Sequence, residues 1–333
     1  MKVIISFAGL ESCQEARFSG RPYALQRLAG GTLLGHILAQ LQDVPMEELI
    51  LVVSEEDKRV ADWTEQRLTG TALTVLAVSE ADSPIAGLRD CVAFLDAQPV
   101  LLVSGNYVAE ADFAGLVATG ADAACLIQAD RDVVPAEKLA VNEAGFFIGQ
   151  GAIEAHWAGA CWFRHGTDLA SALESLPSRE PIVYEAAEAE LAVLLNNSLE
   201  QGQRIKTEQA YYCLDTRSSD SFLHANARLL QLGHGSQDAI ERSYAEDFTV
   251  LPPVFLHETA VVENVVIGPF VNLEANAVVR NSIVRNSLIG VGAHITNAIL
   301  DGSFVGDRAR ISGQASKVFV GDEQSLDLEK EDI

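Results

Sequence analysis

Aliphatic residues recur near the end of the chain at Ile267, Leu273, Val279, Val284, Ile289, Ile295, Leu300, Val305 and Ile311, in steps of five or six. A simple strand repeats every two residues and a helix every 3.6, so neither element gives this rhythm. A short period held over many turns marks a repeat array. The residues between are small or polar: Gly268, Asn272, Asn276, Asn281, Asn286, Gly290, Gly302 and Gly306. These fit tight corners that need positive φ. The pattern predicts a coil of parallel strands, each aliphatic stacking on its counterpart one coil away, in about three coils. A β-sandwich is the alternative, but its turns come roughly every 8–12 residues.

Before the coil the pattern changes to continuous apolar runs alternating with amphipathic stretches. VIISFA (3–8), ELILVVS, LTVLAVS, PVLLVSGN and ADAACLIQAD read as buried strands. Between them LLGHILAQL behind Thr32, EEDKRVADWTEQRLTG, the stretch from Ser83-Pro84 through Ala97, and ADFAGLVATG read as helices. Residues 10–31 form a long polar loop with Gly20, Pro22, Gly30 and Gly31. Residues 139–165 predict a hairpin and a strand near AGACWF. Two helices follow, then short strands around Arg204–Lys206 and Tyr211–Leu214 and a helix over Ser219–Leu232. Strand and helix in alternation predict an α/β fold with a doubly wound, mostly parallel sheet. Ligands of such sheets bind at the carboxyl ends of the strands, here Ala8–Leu10 and Ser104–Asn106. The divisions expected are an α/β domain over 1–232, a linker over 233–252, the coil over 253–321 and an acidic tail over 322–333.

The 333 residues are 48% hydrophobic with a formal net charge of −24. That charge argues against nucleic acid and anionic membrane as partners, since both need a basic surface. No apolar run reaches the ~18 residues that span a bilayer, and MKVIISFAGL has no signal-peptide core. Cys13, Cys91, Cys125, Cys161 and Cys213 are scattered and odd in number. They read as reduced thiols of a cytoplasmic protein, not a disulfide framework or a zinc site.

Four segments resemble one family. MKVIISFAG is similar to its opening strand and glycine, and RPYALQRLAGGTLLGHIL to its "RPKxLLPVxGKPLLExxL". VLLVSGN is similar to a strand ending in "GD". YYCLDTRSSDSFLHANARLL is similar to the closing "W.D.GTPxxyxxAN.xLL", through Asp215, Thr216, Ser219 and Ala225-Asn226. On these segments the chain resembles the sugar-1-phosphate nucleotidyltransferases, or NDP-sugar pyrophosphorylases, in the form with a C-terminal left-handed β-helix of hexapeptides. Glucose-1-phosphate thymidylyltransferase is an example. The resemblance implies attack of a sugar 1-phosphate on the α-phosphorus of a nucleoside triphosphate, giving NDP-sugar and pyrophosphate. It also implies Mg2+, a loop arginine, a lysine and two metal-binding aspartates, because the triphosphate charge must be met.

The departures fall on those positions. Glu11 stands on the loop glycine, Cys13 on the arginine, Ala16 on the proline, Tyr23 on the lysine and Asn106 on the first metal aspartate. Asp215 keeps the second. Glu11 and Glu15 would oppose a phosphate rather than hold it. The resemblance therefore implies an impaired homologue with a regulatory or scaffolding role, using no cofactor and acting beside an active paralogue. The alternative is an active enzyme, with Arg17 or Arg21 replacing the lost cations and Asn106 with Asp215 holding Mg2+. Arg17 and Arg21 read equally as solvated surface, and Asp215 as a cap near Ser219. Ala8, Gly9, Leu10, Ser83, Gly87 and Gly105 are the implied nucleotide or sugar-phosphate contacts, though the glycines also suit plain turns. His294 in the coil brings a third possibility, a β-helix acyltransferase with a histidine base. The coil further implies a homo-oligomer.

Overall fold

The structure is a computed structural model. It describes residues 1–10, 20–53, 58–78, 86–128, 138–148, 153–176, 184–235, 248–313 and 319–327. The chain divides into two compact units, one of Met1–Ser12 with Leu34–Asp215 and one of Cys13–Leu33 with Thr216–Ile333. Compactness therefore separates the chain differently from a cut at residue 232, since the closing helix belongs with the coil.

The first unit is built on one sheet. Its strands run in the order Ile205–Gln209, Ala123–Gln128, Ile153–Phe163, Val100–Ser104, Lys2–Ser6, Glu48–Val53, Ala72–Ala77, with Lys138–Val141 beside Ile153–Phe163. Lys2–Ser6 pairs in parallel with both Glu48–Val53 and Val100–Ser104. Those three strands are buried on both faces, which is why they read as unbroken apolar runs. Ile153–Phe163, by contrast, runs antiparallel to both of its main neighbours. The sheet is thus mixed but mostly parallel, with Ile153–Phe163 alone running against the common direction of the other strands. That strand is the one expected near AGACWF, begun earlier at Ile153, and a bulge between Trp157 and Cys161 breaks its period. The segment from Ser83-Pro84 is a 3-10 helix over Ala86–Phe94 among the described residues.

The two late strands do not pair with each other. Ile205–Gln209 joins the sheet edge, and Tyr212–Asp215 forms a small ladder with Tyr107–Glu110.

In the second unit two parallel sheets share one winding chain. One contains Phe248–Val250, Val261–Ile267, Val278–Arg285, His294–Thr296, Arg310–Ser312 and Ser325–Asp327, with Ile299–Asp301 alongside. The other stacks Val254–Leu256, Val271–Leu273, Leu288–Ile289, Phe304–Val305 and Phe319–Val320. Successive partners such as Leu273, Ile289, Val305 and Val320 lie one coil apart. These parallel sheets are consistent with a β-helix. All nine aliphatics of the rhythm are at most 1% exposed and share one core. Five strands stack in the second sheet, not three, because Val254–Leu256 and Phe319–Val320 extend it beyond the regular stretch.

Of the eight expected corners, Gly268, Asn276, Asn281, Asn286 and Gly302 have positive φ, and Asn272, Gly290 and Gly306 do not. Asn276, Asn281 and Asn286 have φ of 58°, 47° and 42°, and Asn264 and Asn297 join them at 53° and 54°. Asn264, Asn281 and Asn297 hydrogen-bond side chain to side chain up the stack. Asn272 is not a corner. It lies buried within Val271–Leu273 and uses its side chain for contacts described below.

Candidate functional site

At the carboxyl ends of the first unit's central strands, Ser6 lies opposite Ser104 in the ladder. The chain turns at Phe7–Leu10, with Gly9 at φ 70° and Ala8 and Leu10 buried. The Gly105 N–H donates to the Ser6 carbonyl at 2.7 Å. A Cβ on Gly105 would sit 2.3 Å from the Phe7 ring. Packing alone therefore demands glycine at this position.

The small ladder brings the backbones of Asn106 and Asp215 near each other. Its register sets Asp215 opposite Tyr107, so Asn106 borders the Asp215 end of the pair. Both are buried, at 4% and 9% exposure. The Ser104 hydroxyl donates to Asn106 Oδ1. Behind them Tyr107 packs edge-to-face on Trp157 at 5.8 Å, and Gly159 of the bulge admits the Tyr107 Cβ.

Magnesium would find here one carboxylate and one carboxamide, whose oxygen already accepts from Ser104. Among the described residues no three His, Cys, Asp or Glu side chains gather where a metal ion could sit. Hard cations favour several charged oxygens, so this donor set does not fit the ion. Gly87 is buried in its 3-10 helix. Arg17 and Ser83, with Glu11, Cys13, Glu15 and Ala16, lie outside the described residues.

The second unit holds Arg21, and its surroundings were not foreseen. The Arg21 Nε donates to Asp307 Oδ2 at 2.6 Å, and Nη2 lies 2.5 Å from the same oxygen. Six residues on, Arg27 Nη1 is 3.0 Å from Glu274 Oε2. That contact is an ion pair without hydrogen-bond alignment, since Arg27 Nε and Glu274 Oε2 lack a hydrogen-bond partner among the described residues. Glu274 is 2% exposed. Burial raises its pKa against the pull of Arg27. Asn272 Nδ2 donates to Glu274 Oε1 at 2.9 Å, and Asn272 Oδ1 accepts the Gly30 N–H at 2.7 Å. A cavity of about 20 Å³ lies among Arg21, Arg27, Asn272, Glu274, Phe304 and Asp307, room for one water molecule.

The same segment is pinned by neutral bonds. Tyr23, buried, donates its hydroxyl hydrogen bond to the Thr216 carbonyl at 2.7 Å. The Ala29 N–H donates to Asn226 Oδ1 at 2.8 Å, and Asn226 Nδ2 donates to the Phe270 carbonyl at 3.2 Å. The Ala-Asn pair of the closing motif therefore holds backbone. Arg27, Glu274 and Asp307 escaped the sequence reading, which gave Asn272 only a corner. The one available signal was an acid close behind an inward aliphatic, Glu274 directly after Leu273 and, two coils later, Asp307 two residues after Val305.

His294 is exposed, and its Nδ1 contacts the Gly292 carbonyl two residues away at 2.9 Å. Cys91, Cys125 and Cys161 are buried and carry no disulfide. Burial pushes the Cys91 and Cys125 thiols up to about 12. Thiols held so far from ionisation are not nucleophiles. No helix among the described residues is long and apolar enough to cross a membrane.

Among solved structures, the chain is similar to an inositol-1-phosphate CTP transferase from T. maritima, with a TM-score of 0.53 and 16% identity, over 66% of this chain and 90% of that one. It is also similar to a protein from Bacillus anthracis described as a glucose-1-phosphate thymidylyltransferase, at 0.54 and 14%, over 68% and 94%. A nucleoside-diphosphate-sugar pyrophosphorylase from Vibrio cholerae RC9 matches at 0.52 and 14%, over 68% and 99%. At such identities the likeness establishes the fold alone, over the two thirds of this chain that it covers. No protein-family model matches the chain, and no curated protein matches it.

Proposed function

We propose that this chain is a sugar-1-phosphate nucleotidyltransferase homologue that retains a phosphate-ligand pocket but little transfer chemistry, and that it works as a regulatory or scaffolding subunit. The reaction that such a fold serves joins a sugar phosphate oxygen to the α-phosphorus and breaks that phosphorus's bond to the leaving pyrophosphate. Positive charge around the triphosphate carries most of the catalysis.

The observation that carries the proposal is the commitment of Arg21 to Asp307. It counts against the active reading in which Arg21 supplies the missing cation. Tyr23, on the position of the expected lysine, is turned to Thr216 and brings no charge. The donor set at Asn106 and Asp215 points the same way. Ala8, Gly9, Leu10, Ser83, Gly87 and Gly105 remain the proposed nucleotide or sugar-phosphate contacts. The polar pair Ser104–Asn106 at the strand ends favours a hydroxyl-rich or phosphate-bearing ligand. The coil is the proposed assembly surface, for a second copy or an active paralogue. Its exposed Val261, Ile299 and Phe319 support this. Free buried cysteines suit a cytoplasmic protein.

Calorimetric titration with nucleoside triphosphates and sugar 1-phosphates in EDTA tests the binding half. Binding of at least one class is expected, with Asp215→Asn changing its affinity. If neither class binds, the retained pocket is wrong.

A further inference from the structure

Arg21 and Arg27 stand on one short segment, and each meets a carboxylate of the coil. Those carboxylates are fixed by the coil rather than by the arginines. Asp307 Oδ1 accepts the Val291 N–H at 2.8 Å, and the Asp307 N–H donates to Asp322 Oδ1 at 2.8 Å. Glu274 Oε1 is held by Asn272. The segment also has anchors besides the ion pairs, in Tyr23 on Thr216, Ala29 on Asn226 and Gly30 on Asn272. Gly30, at φ 75°, has no space for a Cβ, which would meet the Phe255 ring at 2.7 Å. Backbone position and side-chain pairing are thus separate. The guanidinium groups can change partner while the segment keeps its path.

The pairing is also incomplete. Arg27 Nε and Glu274 Oε2 are buried beside a cavity with no hydrogen-bond partner among the described residues. A buried polar atom left unmatched is costly, so this pair is held by charge and yields to a ligand offering better geometry. Phosphate oxygens offer it, since they take two parallel N–H bonds from one guanidinium.

We infer that Asp307 and Glu274 are internal competitors that hold Arg21 and Arg27 away from polyphosphate, so that the coil keeps the segment's anion affinity switched off. This rests on the reading that the segment's cations are withheld from phosphate, and it adds that they are withheld reversibly.

The test is a titration with inorganic pyrophosphate, without metal, of the full chain and of Asp307→Asn and Glu274→Gln. Both variants keep the acceptor oxygens that Val291 and Asn272 use. Each is expected to bind pyrophosphate about tenfold to a hundredfold more tightly than the wild type, the value of one freed charge-assisted pair. Adding Arg21→Ala to Asp307→Asn, or Arg27→Ala to Glu274→Gln, is expected to abolish the gain. Affinity unchanged or weaker in both single variants overturns the inference. So does a gain that survives loss of the arginine. If one single variant fails to fold, the other decides. The proposed loss of transfer chemistry fails on a different result, catalytic pyrophosphate release by the wild type.

Discussion

Gly105 shows how a site glycine can be accounted for by packing. The Phe7 ring fills the volume a Cβ would need. Gly105→Ala is therefore expected to lower stability by about 1–3 kcal/mol, the usual penalty for overpacking. A urea-unfolding midpoint checks it. A variant of unchanged stability would return the glycine to a ligand-contact role. Glu274 is the residue whose titration matters most. Burial raises its pKa from an ordinary 4.5, while Arg27, Asn272, Arg21 and His257 act to lower it. The folded chain then keeps this proton to higher pH than the unfolded chain does. Across that window, from 4.5 upward to the raised value, the contribution of Glu274 to stability falls as pH rises. Glu274→Gln carries no such proton. The stability of the wild type relative to the variant is expected to decline with rising pH across the window and then to level off. Denaturant midpoints at stepped pH measure this, and a difference that rises with pH contradicts it.

At the scale of elements the coil was the most legible part of the chain. Its aliphatics recur in sequence because each inward residue needs an equivalent one coil away, and all nine are buried. Leu300→Ala is expected to cost about 2–5 kcal/mol, whereas Val261→Ala, at an exposed position, should stay within about 0.5 kcal/mol. Thermal melts of the two variants compare them. Equal effects would mean that Leu300 does not serve a common core. The buried strands of the first unit were legible for the same reason, as apolar runs. Ile153–Phe163 was legible only in part, near AGACWF, because its bulge interrupts the period. Tyr107–Glu110 was missed because a four-residue strand gives almost no pattern. The polar pairs were illegible for a deeper reason. Arg27 with Glu274, and Arg21 with Asp307, join residues far apart in the chain. No local spacing marks such partners, whereas the departures that the resemblance implies at Cys13 and Tyr23 are read position by position.

At the scale of the whole molecule, a chain of net charge −24 has to concentrate cations wherever it receives a polyphosphate. Arg21 and Arg27 are spent on carboxylates, Tyr23 is neutral, and Asn106 with Asp215 makes a poor seat for magnesium. On the proposed reading, the fold is kept while the charges that transfer chemistry needs are engaged elsewhere or replaced. The most direct measurement is steady-state pyrophosphate release by the full chain, with magnesium, for each nucleoside triphosphate against a panel of sugar 1-phosphates. The prediction is no release above the protein-free control for any pair. Robust magnesium-dependent turnover with even one pair would contradict it.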